Sequence, residues 1–138
     1  MIVNPAYIYM GKSAAANPVI FEQNVVNYPY SGTNYEISAT GYFEMSGKSE
    51  LIFSDLDLTN FTELSVPGNH SFSRTLRMSV AFIDELGNIS QSVEQRYQPS
   101  STTTNVWTIP QQFRTKKCKV KFVTNNSSSL TLRSATLS

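Results

Sequence analysis

Alternation with a period of two is the feature that most restricts what this chain can fold into. Across residues 74–83, Leu76, Met78, Val80 and Phe82 fall on one side of an extended segment, and Thr75, Arg77, Ser79 and Ala81 on the other. Successive side chains of a strand point to opposite faces, so this pattern describes a strand with one buried face. Residues 117–124 follow the same rule, with Cys118, Val120 and Phe122 inward and Lys119 and Lys121 outward. Tyr35, Ile37, Ala39, Gly41 and Phe43 alternate with Glu36, Ser38, Thr40 and Tyr42, which predicts a further strand ahead of a turn at Ser46-Gly47-Lys48. Helical periodicity is nearly missing. Only residues 13–17 have helical composition, and so short a run cannot hold a helix alone.

The turns complete the pattern. Asp84-Glu85-Leu86-Gly87-Asn88 predicts a hairpin whose second strand covers residues 89–97. Residues 19–26 read as one strand, with weaker candidates at 7–10 and 62–66, and residues 99–104 read as a loop. A strand closes at Ile109-Pro110, and after residues 117–124 a polar turn at 125–129 leads to a last strand over 130–137. In that last strand the apolar set changes parity, from Leu130 and Leu132 to Ala135 and Leu137, which predicts a bulge near Arg133-Ser134. The expected class is all-β, an antiparallel sandwich or barrel of about eight to ten strands. The expected organisation is an extended N-terminal arm over residues 1–18 and one domain over 19–138.

Composition excludes several function classes. The net charge is +1 and charged residues make up 15% of the chain, so no field is available to hold a polyanion, and no nucleic acid partner is expected. Lys116, Lys117, Lys119 and Lys121 cluster, but at a strand entrance and along its outward face. The single cysteine, Cys118, rules out an internal disulfide and a multi-cysteine zinc site. No apolar run approaches the ~20 residues of a membrane-spanning helix, so no membrane insertion is expected, and the N-terminus lacks the pattern of a secretory signal.

The segments Y-E-I-S-A-T-G-Y-F-E-M, D-E-L-G-N, W-T-I-P and K-V-K-F…S-L-T-L-R-S-A-T-L-S together resemble a galactose-binding-like jelly roll. That sandwich is used by many carbohydrate-binding modules and by phage tail and virion proteins. The resemblance covers residues 19–138 and implies an antiparallel jelly-roll β-sandwich. Such modules often place an acidic residue just before the last apolar positions of the closing strand, where this chain has Arg133-Ser134. No calcium or ligand site is therefore carried over.

Catalysis finds few residues to work with. The only histidine, His70, lies in a Pro-Gly turn, and Cys118 falls on an apolar strand face. The acids are few and mostly at turns, so no enzyme activity and no cofactor are expected. Asp55 and Asp57, two apart on an extended segment, form a weak candidate for calcium; the simpler reading buries Leu56 and Leu58 and leaves the acids in water. Tyrosines are more telling. Sugar rings stack on such side chains while their hydroxyls bond to nearby polar groups. Tyr28 and Tyr30 flank Pro29 ahead of Ser31-Gly32 and are expected to be exposed, with Tyr42 a third candidate contact; Trp107 is expected in the core.

The expected function is non-enzymatic: a virion structural or assembly protein, such as a phage tail, baseplate or capsid-decorating subunit, located in the virion. Its partners would be other virion proteins and further copies of itself, held through an arm whose apolar residues are Ile2, Val3, Tyr7, Ile8 and Tyr9. The alternative is a carbohydrate-binding module that recognises surface polysaccharide on a host.

Overall fold

A computed structural model describes residues 17–69, 74–99 and 102–138. Among them run ten strands: β1 (Val19–Glu22), β2 (Val25–Val26), β3 (Tyr30–Ile37), β4 (Phe43–Leu56), β5 (Glu63–Asn69), β6 (Leu76–Ile83), β7 (Val93–Tyr97), β8 (Thr102–Thr108), β9 (Cys118–Leu132) and β10 (Ala135–Leu137). One 3-10 turn, Gln111–Phe113, lies between β8 and β9. All pairings are antiparallel.

The strands form one sheet that curls over itself. One layer has the order β3-β4-β9-β6-β7, the other β2-β1-β10-β5-β8. β9 joins them, since Lys119 to Val123 pair with β6 while Thr131 and Leu132 pair with β5. The core lies between the layers. Phe21 of β1 stacks on Phe53 of β4 with ring centroids 5.3 Å apart, and meets Phe43 edge-on at 4.9 Å. Phe122 closes the group against Phe53 at 5.8 Å. Such ring pairs add about 0.5–1.5 kcal/mol beyond the area they bury.

β6 follows the sequence reading, with Leu76, Met78, Val80 and Phe82 buried. So does the parity change. Leu130, Leu132, Ala135 and Leu137 are all buried, and the strand breaks at Arg133-Ser134 into β9 and β10. Pro67 of β5 lies at this step; it has no N–H to donate, and its carbonyl accepts the Arg133 N–H at 3.1 Å. Trp107 and Cys118 are core residues as expected.

Four local expectations are corrected. Residues 19–26 are a hairpin, because Asn24 takes a left-handed conformation (φ 63°) between β1 and β2. The chain reverses at residues 38–42, where Gly41 has φ 89°, and runs through Ser46-Gly47-Lys48 as strand; Gly47 (φ 62°) marks a bulge in β4. Residues 125–129 continue β9, their polar side chains being compatible with a strand because Asn125 and Asn126 pair with Lys48 and Gly47. Finally, Thr102 to Thr104 belong to β8, paired with Asn69, Gly68 and Pro67.

Candidate functional site

The three tyrosines singled out in the sequence have different fates. Tyr28 is buried at 9% exposure, which corrects the expectation of an exposed residue. Its hydroxyl donates to the Asn17 carbonyl at 2.7 Å and accepts the Asn17 N–H at 3.0 Å. Tyr28 therefore clamps the entry to β1. Tyr30 is half-buried, its ring 5.4 Å from Phe43 and 5.9 Å from Phe53, so its contact area is largely spent on the core. Tyr42 alone of the three stands in a groove.

That groove is built by turns and strand ends. Asn24 N–H donates to the Gly41 carbonyl at 3.0 Å, and Gln23 Nε2 donates to the Thr40 carbonyl at 2.8 Å. These bonds pin the β1–β2 turn to the β3–β4 turn. Gly41 lies so close to the Asn24 side chain that a Cβ there would collide with it. Tyr42 is held at the end of the turn, its N–H donating to Ser38 Oγ at 3.1 Å. Its half-buried ring then lines a shallow groove of about 410 Å³. Glu22 and Gln23 line it beside Arg133 and Ser134. Pro67 and Thr104 extend it across β5 and β8.

The chemistry of this groove is mixed and hydrogen-bonding. Glu22 accepts, Arg133 donates, and Gln23, Thr104 and Ser134 offer groups of both kinds. Among the described residues neither Glu22 nor Arg133 belongs to an ion pair. Glu22 is the one carboxylate lining the groove, whereas glycoside hydrolysis ordinarily uses two. Of these residues only Tyr42 was a candidate contact in the sequence; Arg133-Ser134 stood out there as a bulge. The rest come from β1, β5, β8 and the β9–β10 step, and no local signal links those segments.

The other candidates lie elsewhere. Asp55 is exposed at a left-handed bulge of β4 (φ 63°), while Leu56 and Leu58 are fully buried. Asp57 accepts the Thr59 N–H at 3.0 Å, and bonding to Thr59 holds its carboxyl below the usual range. Its acid thus caps a turn. Among the described residues no group of three or more His, Cys, Asp or Glu side chains is gathered to hold a metal ion. Ile2, Val3, Tyr7, Ile8, Tyr9 and His70 lie outside the described residues. No helix among the described residues is long and apolar enough to cross a membrane.

Comparison with solved structures places the architecture. The family 35 carbohydrate-binding module of Paenibacillus barcinonensis superposes with a TM-score of 0.58 at 9% identity, over 79% of this chain and 91% of that one. The family 11 module of Clostridium thermocellum, in complex with a β-1,3-1,4-mixed-linked tetrasaccharide, gives 0.54 at 13% identity over 91% and 96%. The fold is a jelly roll. The same jelly roll matches part of an exo-β-1,3-galactanase of Phanerochaete chrysosporium, with a TM-score of 0.62 at 11% identity over 92% of this chain. The chain spans 30% of the galactanase's length and 24% of that of an agarase it also matches. No protein-family model and no curated protein matches the sequence. The antiparallel all-β jelly roll expected from the sequence is what the structure and these likenesses show.

Proposed function

We propose that this protein is a non-catalytic carbohydrate-binding domain and that the Tyr42 groove is its sugar-binding surface. The observation that carries this reading is the groove itself: a half-buried aromatic side chain set among donors and acceptors from three other segments. A pyranose presents an apolar C–H face to such a ring and its hydroxyls to the flanking polar groups. The likeness to a module solved with a bound tetrasaccharide supports the same reading. A glycan array probed with the intact chain, followed by calorimetry on the best ligand, tests it. Tyr42→Ala is expected to weaken binding about tenfold or more, since loss of an aromatic contact is worth roughly 1–2 kcal/mol. Full retention of affinity in that variant would move the site away from this groove, and silence of the wild type across the array would reject the function.

A second reading, assembly with further copies as a virion subunit, is supported by one observation. β3 ends the sheet path and is exposed from Ser31 to Asn34, so it offers an edge that another strand could join.

A further inference from the structure

We propose that the outward face of the β4-β9-β6-β7 layer carries a separate binding site for the carboxylate or sulfate groups of an acidic polysaccharide, built on Lys48, Arg77 and Arg96. It does not depend on the Tyr42 groove, which lies on strands of the other layer and on neighbouring turns. The argument starts from register. Arg77 of β6 pairs directly with Arg96 of β7, and both side chains are exposed. Like charges directly opposite each other destabilise an antiparallel pair, so this arrangement is unfavourable for folding alone. On the other flank Lys48 of β4 pairs with Asn125 of β9. Ser79 pairs with Val123 two positions on, which sets Asn125 beside Arg77. Lys48, Arg77 and Arg96 therefore lie in one row across the strands, spanning about 15 Å at the usual strand spacing.

Arg77, in the middle of the row, is held by its backbone, and the row is only partly neutralised. Asn126 Oδ1 accepts the Arg77 N–H at 3.0 Å, and Asn126 Nδ2 donates to the Arg77 carbonyl at 2.8 Å. A polar groove of about 260 Å³ follows, where Ser79 and Asn125 add hydrogen-bonding groups. Two carboxylates are near. Glu50 is engaged by Lys121 at 3.1 Å, and Glu94 lies 3.8 Å from Arg77 Nε. Three cations thus face one loosely held carboxylate, a local excess that the overall charge of +1 does not reveal. The arginine fork suits carboxylate and sulfate oxygens, and the amides and hydroxyl between the cations suit a hydroxyl-rich chain. Nucleic acid fits less well, because no aromatic side chain lines this groove for base stacking and three cations are few for a duplex.

Binding of the full chain to polygalacturonate, heparin, a neutral mixed-linkage glucan, a DNA duplex and phosphatidylserine vesicles, at about physiological salt, tests the site. Polygalacturonate or heparin should bind, with the stronger of the two naming the acidic group. R77Q/R96Q should weaken that binding about tenfold or more, because each charge-assisted hydrogen bond it removes is among the strong ones. K116Q/K117Q removes the same formal charge just ahead of β9, roughly 25 Å from the row and beyond the screening length, and should change binding less than about twofold. R77Q/R96Q should melt no lower than the wild type, which separates lost binding from lost fold. Tyr42→Ala should leave acidic binding unchanged whether or not it affects neutral glycans. Equal loss in both double variants, or duplex or vesicle binding as tight as that of the polysaccharides, would overturn the proposal.

Discussion

At the scale of single residues, Tyr97 shows how one buried polar atom ties the two layers. It projects from β7 into the core, fully buried, and its hydroxyl donates to the Val66 carbonyl of β5 at 2.8 Å. Burial raises its pKa well above the ordinary tyrosine value near 10. The neutral form is thus preferred in the fold, and this contribution is full below about pH 10 and lost as pH rises through and beyond that point. Tyr97→Phe should destabilise the protein by about 1–2 kcal/mol at neutral pH, through loss of the buried bond to the Val66 carbonyl. Urea titrations at about pH 7 and about pH 11 should show the gap between the two proteins narrowing or reversing at the higher pH; a constant gap would mean that the phenol does not titrate against folding. Side-chain type told part of this story in advance. Trp107 and Cys118 read as core from their alternation, but Tyr28 did not read as buried, because its role as a clamp depends on Asn17, a distant backbone partner.

At the scale of elements, the edges of the two layers face each other where β7 and β8 meet without a ladder. Side chains close this seam. Trp107 Nε1 donates to the Val93 carbonyl at 2.8 Å, Asn105 Nδ2 to the Arg96 carbonyl at 2.8 Å, and Gln95 Nε2 to the Val106 carbonyl at 2.6 Å. Open strand edges invite pairing with other chains, and these bonds occupy carbonyls that would otherwise offer it. Replacing Trp107 by Phe together with Asn105 by Ala should destabilise by roughly 2–4 kcal/mol, at about 1–2 for each lost bond and orphaned carbonyl. The same variant should scatter more light on standing at concentrations where the wild type stays clear. An unchanged urea midpoint would show that the bonds do not stabilise the seam. Strand existence was legible wherever one face is apolar, as in β6 and the first half of β9. Strand limits were not. Two candidate turns, at Gly41 and at Gly47, carry similar local signals, and the bond from Asn24 to Gly41 helps set the reversal at the first. Likewise the polar stretch after Thr124 has no alternation to betray it, and it is a strand because β4 pairs with it.

At the scale of the whole molecule, the arrangement of edges governs what the chain can assemble into. β7 and β8 are sealed by side chains, and β2 has only two residues, which leaves β3 as the long edge strand among the described strands, exposed from Ser31 to Asn34. β3 resists extension along its full length. Asn34 sits at a left-handed bulge (φ 57°) where the register with β4 shifts, and its Nδ2 donates to the Lys48 carbonyl at 2.9 Å. A further strand could therefore pair cleanly only along Ser31 to Thr33. On the assembly reading proposed above, the apolar arm expected from Ile2 to Tyr9 would supply it by pairing with β3 of a neighbouring copy. Two residues just ahead of β1 bond to the sandwich, since Asn17 holds the Tyr28 hydroxyl and the Pro18 carbonyl accepts the Leu137 N–H at 2.7 Å. Deletion of residues 1–16, which spares both, should leave the thermal melt within a few degrees, a shift corresponding to less than about 1 kcal/mol. On the assembly reading, light scattering should find the full chain as a multimer and the deleted chain as a monomer. A full chain that is monomeric at high concentration would reject assembly through the arm while leaving the Tyr42 groove and the arginine row to their own tests.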